Sequence, residues 1–513
     1  MPAIQSIACF TLFLASADLA TALQSSQQSA PPRSPRSSPQ PLIQHADPAD
    51  DRIAYTGRWD FSDPSRPWCA WQGSSLRVRF HGTRVSAELN SGSQTEYFRV
   101  IVDGDHYGSA KFPVSPGIAT YTLADGLSLG VHQVELVKET FQGTNATFYG
   151  LEIHGSGLKH PPTAPARRIE FYGDSNLAGY SLDSELNLGT LSLRGSHLGY
   201  AGLTARMFDA AYHNVSSSGA TISTIHTRFD RLNWSSSVPQ WAFDDFPADL
   251  VVVNLGANDV GSGEATIKAR YHAFLDDLRG VHPSAHIMLF NSWGWDFDEP
   301  ATYIHEVIAD RGDANMSSAT FPWIFEQWHG CQYDHAGMAS VLADHISATL
   351  GWTPGPSDVM SGLAAAGDVA NGGFEQSAPF GGFGWRYRLS AGVTRVKDGA
   401  AAHDGSHFVQ LAEGASIHQP IPASDGDLVE LTVWARADVA GSELEVTIDF
   451  RNQEMYSTPL QANSETFVLT TDWQAYMLSA NAPSGSVPVF HTRVTLAGGS
   501  GGGEVDAVST AVQ

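Results

Sequence analysis

Two stretches of the chain alternate apolar and polar residues with a period of two, and the stretch between them follows another pattern. From Arg52 to about Gly157 the alternating segments include S-L-R-V-R-F and Y-F-R-V-I-V, and turn residues separate them at spacings of roughly ten residues. These short strands predict an N-terminal β-sandwich (jelly roll) over residues 52–158. After a Gly-, Ala- and Pro-rich linker at 353–366, segments such as L-E-V-T-I-D-F predict a second, C-terminal β-sandwich over 367–513.

Between the two predicted sandwiches, over residues 166–352, short apolar runs alternate with helix-like segments. The runs R-R-I-E-F-Y, D-L-V-V-V-N-L-G and H-I-M-L-F are typical of buried strands, and A-T-I-K-A-R-Y-H-A-F-L-D-D-L-R is typical of an amphipathic helix. This order predicts a central α/β domain with a parallel sheet that helices cover on both faces. Ligands of such sheets bind beyond the carboxyl ends of the strands, so chemistry is expected at that edge.

The first 51 residues lack both patterns. Residues 4–17 form an apolar stretch that is too short to span a bilayer, and small residues follow it, which predicts a signal peptide over residues 1–22. No Lys or Arg precedes this stretch, which departs from the usual signal peptide. Residues 23–51 are rich in Pro, Ser and Gln and predict a disordered linker, with folding from about Arg52. We therefore expect a secreted or periplasmic protein.

The composition restricts the possible partners and metal sites. A net charge of −25 over 513 residues argues against nucleic acid and anionic membranes as partners, since both would repel the chain. Neutral and cationic substrates remain open. Beyond the predicted signal peptide the cysteines are Cys69 and Cys331, which either pair or stay free. Neither has the spacing of a metal site.

The tetrapeptide G-D-S-N at residues 173–176 follows a predicted buried strand and introduces turn formers. We expect a helix to begin there, which would place Ser175 at a strand-to-helix corner. The first free N–H groups of that helix would then face any negative charge that develops beside the hydroxyl. This placement suits a nucleophile, and the alternative is that Ser175 only caps the helix.

Three further segments are expected at the same edge of the sheet. Residues 214–220 form a small-residue loop in which Gly219 would let the backbone approach a substrate. The strand at 251–254 ends in G-A-N-D at 256–259. The segment W-H-G-C-Q-Y-D-H at 328–335 precedes a predicted helix from about residue 337 to 349. Each segment alone is also compatible with an ordinary turn.

Together and in this order, the four segments resemble the four blocks of the SGNH (GDSL-like) hydrolase superfamily. A sandwich that precedes the hydrolase domain and contains G-R-W-D, Y-F-R-V-I-V-D-G and L-V-K-E-T is similar to carbohydrate esterase family 2. The resemblance covers about Arg52 to Trp352.

The resemblance implies a role for each of these side chains. Ser175 would be the nucleophile, and the backbone N–H groups of Ser175 and Gly219, with the side-chain amide of Asn258, would form the oxyanion hole. Asp174 and Asp259 would orient loops by hydrogen bonding. The chemistry would need no cofactor.

The catalytic base departs from the superfamily pattern, in which an Asp stands three residues before the His. Gln332 occupies that position relative to His335. Members of carbohydrate esterase family 2 can work with a Ser–His dyad, in which a backbone carbonyl orients the imidazole. The family's C-x-x-H spacing would put the His at Asp334, so a shift of one residue is needed. We assign the base to His335, with His329 as the alternative.

Several tryptophans could stack on sugar rings. Trp59, Trp68 and Trp71 lie in the predicted N-terminal sandwich, where aromatic residues belong more often to the core. Trp293 and Trp295 follow the strand H-I-M-L-F at the presumed substrate edge. We expect these two to be substrate-binding candidates, with core packing as the alternative.

The third unit resembles jelly-roll carbohydrate-binding modules at its two ends, N-G-G-F-E at 371–375 and E-V-D-A-V at 504–508. The alternative is a spacer sandwich. If the ends meet, Glu375 and Asp506 would repel unless a cation lay between them, and the similar modules hold a structural calcium at a comparable place. Two solvated carboxylates are the other possibility.

The resulting hypothesis is a secreted carbohydrate esterase that removes O-acetyl groups from an acetylated plant or microbial polysaccharide. One alternative is a carbohydrate-binding protein whose hydrolase domain has decayed at its histidine. Another is a general acyl-esterase or lipase.

Overall fold

A computed structural model describes residues 42–184, 188–293, 303–324, 329–355, 369, 371–375, 385–388, 392–451, 458–486, 489 and 491–513. The predicted signal peptide and most of the predicted linker lie outside these residues. One strand, Ile43–Ala46, falls within that linker and pairs with Leu151–His154, so the fold begins before Arg52. The four residues carry little strand signal of their own, and the pairing partner lies about a hundred residues away in the sequence.

The first folded region is the predicted β-structure. Its strands are β1 (Ile43–Ala46), β2 (Ala54–Thr56), β3 (Trp59–Asp60), β4 (Trp68–Cys69), β5 (Ser75–Asn90), β6 (Glu96–Val102), β7 (Ala110–Val114), β8 (Ala119–Ala124), β9 (Gly130–Lys138) and β10 (Ala146–Leu158). The main path runs β3-β4-β10-β5-β9-β6-β7, and β1, β2 and β8 join at β10 and β5. The long strand β5 pairs with β9 in its first half and with β8 in its second. Buried side chains of these strands form the hydrophobic core of the region.

The tryptophans of this region belong mainly to its core. Trp59 and Trp71 are buried, and Trp68 is partly buried. The indole of Trp71 packs into the second core of the α/β domain and donates a hydrogen bond to the carbonyl of Arg231 at 3.0 Å. For Trp59 and Trp71 the structure favours core packing over a sugar-binding platform.

The central region confirms the predicted α/β fold. Its parallel strands are β11 (Arg167–Gly173), β12 (Ala210–Ser216), β15 (Leu250–Asn254), β16 (His286–Trp293) and β17 (Met316–Ile324), in the order β12-β11-β15-β16-β17. The helices are α1 (Tyr200–Met207), α2 (Ile222–His226), α3 (Glu264–Val281), α4 (Tyr303–Arg311) and α5 (Gln332–Leu350). A hairpin of β13 (Arg231–Asn233) and β14 (Ser236–Gln240) and two 3₁₀ turns (Leu191–Leu193, Phe243–Asp245) complete it.

Helices cover both faces of this sheet, as predicted. On one face α1 and α5 pack on side chains such as Phe171 and Val252. On the other face α2, α3 and α4 pack on their neighbours, such as Tyr172 and Val253. Alternate strand residues therefore enter opposite cores, which is why the runs are apolar throughout.

The structure corrects the prediction of a helix directly after Ser175. Strand β11 ends at Gly173, and a series of turns follows it. The N–H of Ala178 donates to the carbonyl of Asp174 at 3.0 Å, and that of Tyr180 to the carbonyl of Ser175 at 3.0 Å. The described chain has no α-helix between Ser175 and α1, so the helix N-terminus that was expected directly after the serine is not found there.

The C-terminal region forms two five-stranded antiparallel sheets around one core, which confirms the second sandwich. Its strands are β18 (Arg386–Arg388), β19 (Val393–Lys397), β20 (His407–Leu411), β21 (Ser416–Pro422), β22 (Leu428–Arg436), β23 (Glu443–Arg451), β24 (Gln461–Val468), β25 (Gln474–Asn481), β26 (His491–Gly498) and β27 (Gly503–Val512). The sheet orders are β18-β21-β26-β23-β24 and β19-β20-β27-β22-β25.

Glu375 and Asp506 both hold the loop that precedes β20. Glu375 accepts the backbone N–H groups of Ser406 and His407 at 2.6 and 2.8 Å, and Asp506 accepts those of His403 and Asp404 at 2.8 and 3.0 Å. The backbone N–H of Ser406, with further donors from Ser406 and His407, lowers the pKa of Glu375 to about 2. Calcium requires oxygen ligands, and the described residues contain no metal-binding group of three or more His, Cys, Asp or Glu side chains. This donor set does not support calcium, and the site stays a prediction from the sequence.

Two further observations concern the cysteines and membrane spans. No disulfide joins Cys69 and Cys331, because Cys69 is buried in the N-terminal core and Cys331 in a core of the α/β domain. Within the described part of the chain, no helix is both long and apolar enough to cross a membrane.

Candidate active site

Ser175 lies just beyond the carboxyl end of β11, the second of the five parallel strands. Neighbouring strands β12 and β15 end beside it, because Gly173 pairs with Ser216 and with Asn254. The residue is 2% exposed. The loops that follow these strands therefore meet around one hydroxyl group.

The side chain of His329 reaches this hydroxyl. Its Nε2 lies 2.9 Å from Oγ of Ser175, which is hydrogen-bonding distance. Two contacts fix the backbone around the histidine: the Oγ of Ser181 donates to the carbonyl of His329 at 3.3 Å, and the N–H of Gly330 donates to Oδ1 of Asn176 at 3.4 Å. The turn that carries the serine therefore also holds the histidine.

The structure corrects the choice of His335 as the partner of Ser175. Helix α5 begins at Gln332 and not near residue 337, so His335 lies in its first turn. Its Nδ1 accepts the N–H of Tyr200 at 3.1 Å, at the start of α1, and its ring stacks on that of Tyr200. Its Nε2 has no hydrogen-bond partner among the described residues. His335 thus joins two helices, and the alternative histidine, His329, contacts the serine.

A signal for His329 was present in the sequence. The superfamily pattern places an Asp three positions before the histidine, and Glu326, which is also acidic, stands there relative to His329. Glu326 lies outside the described residues. The signal was missed because the pattern uses Asp and because the start of α5 was placed too late.

Two residues that the sequence did not single out surround the His329 imidazole. The ring of Tyr180 lies 4.5 Å from it, centroid to centroid, and the guanidinium of Arg194 lies 4.6 Å from the Tyr180 ring centroid. Burial, together with the positive charge of Arg194, lowers the pKa of His329 to about 4. The imidazole is therefore neutral, and able to accept a proton, at neutral and mildly acidic pH.

Asp174 and Asp259 both bind loop atoms. Oδ1 of Asp174 accepts the N–H of Asn176 at 2.9 Å, and Oδ2 of Asp259 accepts that of Ile222 at 2.9 Å. Asp259 also pairs with Arg270 at 2.7 Å. Burial, with a smaller contribution from the charge of Asp259, raises the pKa of Asp174 to about 7. These contacts fit loop orientation.

Two of the predicted oxyanion residues, Gly219 and Asn258, lie on separate loops that a hydrogen bond joins. Gly219 has φ +77°, a conformation that favours glycine, and no described atom lies within 4 Å of a Cβ built on it. Nδ2 of Asn258 donates to the carbonyl of the next residue, Ala220, at 3.0 Å. An amide nitrogen carries two N–H groups, so this contact engages only one of them. The side-chain amide and the glycine loop therefore form one unit.

The tryptophans predicted for substrate binding are described only in part. Trp293 is the last residue of β16, at the same carboxyl edge as Ser175. Trp295 lies outside the described residues. Their role stays a prediction.

Two family models match the chain. Residues 55–162 match the model described as Carbohydrate esterase 2 N-terminal. Residues 171–328 match the GDSL-like Lipase/Acylhydrolase family, and this match includes Ser175, Gly219 and Asn258. The two matched ranges correspond to the N-terminal β-region and to most of the α/β domain.

Similar proteins agree with these two family matches. The chain is 31% identical over 326 residues to the Cellulase/esterase CelE of Acetivibrio thermocellus, a match that covers 58% of this chain and 40% of that protein. It is 26% identical over 330 residues to an Acetylxylan esterase / glucomannan deacetylase of Cellvibrio japonicus, covering 59% and 90%. A solved structure of a family two carbohydrate esterase from Clostridium thermocellum, in complex with cellohexaose, superimposes with a TM-score of 0.54 at 31% identity, covering 58% of this chain and 99% of that one.

Proposed function

Because this chain belongs to carbohydrate esterase family 2, we propose that it is a serine esterase that removes O-acetyl groups from a polysaccharide. The observation that supports this most directly is the contact of 2.9 Å between Nε2 of His329 and Oγ of Ser175. A nucleophile and a neutral base at hydrogen-bonding distance are what acyl transfer requires. The contact also favours an enzyme over a binding protein with a decayed site.

The proposed reaction proceeds in two steps. Oγ of Ser175 attacks the acetyl carbon while His329 takes the hydroxyl proton; the tetrahedral intermediate then collapses, and the imidazolium returns the proton to the departing sugar hydroxyl. Water attacks the acetyl-enzyme with His329 again as the base. Acetate leaves, and Ser175 recovers its proton. In this proposal Ser175 and His329 act as a Ser–His dyad for these transfers.

The negative charge of both intermediates would fall on one carbonyl oxygen. We assign its hydrogen bonds to the backbone N–H groups of Ser175 and Gly219 and to the second N–H of the Asn258 side chain. Removing one such donor typically costs ~10²–10³ in kcat. The contact of Asn258 with Ala220 supports this assignment, because it holds the amide against the glycine loop.

The substrate is proposed from the relatives. CelE is named as a cellulase/esterase, and the Cellvibrio japonicus protein is named for acetylxylan and glucomannan. A neutral acetylated polymer also suits a chain with a net charge of −25. We therefore expect acetylated xylan or glucomannan, secretion of the protein, and a C-terminal sandwich that either binds polysaccharide or acts as a spacer.

Acetate release tests this function. The purified chain should liberate acetate from acetylated xylan or glucomannan and should hydrolyse 4-nitrophenyl acetate much faster than long-chain 4-nitrophenyl esters. The expected preference follows from a family that acts on acetyl groups. Faster turnover of long-chain esters would instead identify a lipase, and the absence of any Ser175-dependent release would identify a binding protein.

The pH profile should show an unusually acid-tolerant base. Since the pKa of His329 is lowered to about 4, kcat/KM should stay level as the pH falls past 6.5 and should be halved only near pH 4. Below that pH the imidazole is protonated and cannot accept the serine proton. The measurement is kcat/KM for 4-nitrophenyl acetate, with recovery at pH 7 as a control for acid unfolding.

The variant Arg194→Met identifies the titrating group. Without the guanidinium the acid limb should move to higher pH. Asp174, whose pKa is raised to about 7, is present in both proteins, so the difference between the two profiles reports on His329. Superimposed profiles would contradict the role of Arg194.

A further inference from the structure

A side chain of the N-terminal β-region reaches into the α/β domain, beside the turn that carries Ser175. Gln72 lies between β4 and β5 and is 1% exposed. Its Nε2 donates to Oδ1 of Asn214 at 3.2 Å and to the carbonyl of Ser216 at 3.1 Å, and it also contacts Oγ of Ser216. Both partners lie near the carboxyl end of β12.

Asn214 in its place hydrogen-bonds the turn that follows Ser175. Its own Nδ2 donates to the carbonyl of Leu177 at 3.1 Å and to Oγ of Ser196 at 3.1 Å. Leu177 is two residues beyond Ser175, within the turns that replace the predicted helix. Asn214 is 2% exposed. An unbroken set of buried hydrogen bonds therefore runs from Gln72 to the turn that carries the serine.

We propose that Gln72 is a positioning residue for ester hydrolysis and that it acts through Asn214 on the turn of Ser175. The amide of Gln72 and the hydroxyl of Ser216, which donates to the same Asn214 oxygen at 2.5 Å, together fix the orientation of the Asn214 amide, whose nitrogen faces Leu177. This inference rests on the proposed function, in which Ser175 is the nucleophile.

The hydrogen bonds from Gln72 through Asn214 should affect the rate of ester hydrolysis because they hold the turn of Ser175. The turn after Gly173 has no helix to stabilise it, so its geometry depends on bonds from its surroundings. A buried polar group that loses its partner is costly, and the local structure shifts to satisfy it. A displacement of about 1 Å between reacting groups can cost ~10²-fold in rate. The N-terminal β-region is therefore part of the catalytic framework.

The test compares Gln72→Met with Trp71→Phe. Methionine has a similar length but no amide, so Gln72→Met should lower kcat about 10- to 100-fold and leave KM within about twofold, because the turn moves and the substrate surface does not. Trp71 is the adjacent residue and bonds Arg231 across the same interface, away from the catalytic turn. Trp71→Phe should lower the melting temperature and leave kcat unchanged.

A double-mutant cycle with Asn214→Leu tests the route. If Gln72 acts through Asn214, adding Gln72→Met to Asn214→Leu should lower kcat by less than about twofold more. Effects that multiply would overturn the proposal, as would a Gln72→Met enzyme with wild-type kcat. If Gln72→Met does not fold, Gln72→Asn, which keeps an amide but shortens its reach, takes its place with the same expectations.

The positioning role of Gln72 and the esterase function can be refuted separately. A wild-type kcat in Gln72→Met, with an inactive Ser175→Ala, would refute the positioning role and leave the esterase intact. Activity that survives in Ser175→Ala would refute the proposed function itself.

Discussion

Replacing Ser175 with alanine is expected to lower kcat on 4-nitrophenyl acetate and on acetylated xylan by about 10⁴-fold or more, because the acetyl group then has no oxygen to receive it. The change removes one oxygen atom at the end of β11. That oxygen forms its hydrogen bond with the imidazole of His329, so the fold should not depend on it. The melting temperature and the circular dichroism spectrum should therefore match those of the parent.

A second serine variant controls for the loss of any hydroxyl group. Ser347 lies in α5, where it is partly buried, and Ser347→Ala should retain the parent's kcat. Equal activity in Ser175→Ala and Ser347→Ala would remove Ser175 from the mechanism. A Ser175→Ala protein that is both inactive and unfolded would show that the oxygen has a structural role.

The sequence predicted those features that depend on local periodicity. The segment S-L-R-V-R-F became the first part of β5, in which every second residue is buried, and the run Leu250–Asn254 became the central parallel strand. The glycine loop and G-A-N-D were correctly expected at the carboxyl edge, because every strand of a parallel sheet ends there.

The features that depend on distant partners were missed. Strand β1 carries little pattern of its own and forms only because β10 offers it an edge. The turns after Gly173 replace a helix, and the bond from Asn214 to Leu177 that supports them links residues far apart in the sequence. Gln72 gave no signal for the same reason, since its partners belong to another domain.

The start of α5 was missed for a local reason. Oδ2 of Asp334 accepts the N–H of Cys331 at 2.9 Å, which satisfies the first turn of a helix that begins at Gln332. An acidic residue in the first helical turn is a recognised start signal, and Asp334 was instead considered as a position for the catalytic histidine. A helix that starts at Gln332 contains His335 and leaves His329 as the histidine that precedes the helix.

The structure makes opposite predictions for the two histidines. His329→Ala should lower kcat by about 10⁴-fold or more with little change in melting temperature, because its ring is only partly buried and its Nε2 serves Ser175. His335→Ala should do the reverse. Its ring is 1% exposed and accepts the Tyr200 N–H, so its loss leaves a cavity and an unsatisfied donor, at a cost of about 2–4 kcal/mol in unfolding free energy.

The variant His335→Asn separates these roles further. Its amide oxygen can accept the N–H of Tyr200, so part of the lost stability should return, while no imidazole is restored. If kcat stays near the parent value in this folded variant, His335 is not the base. A folded His335→Asn enzyme without activity, beside an active His329→Ala enzyme, would return the role to His335. It would also require that the contact between His329 and Ser175 is replaced by another when substrate binds. Because His335 on α5 contacts Tyr200 at the start of α1, such a replacement would have to move α5. The close packing of the two helices opposes that movement.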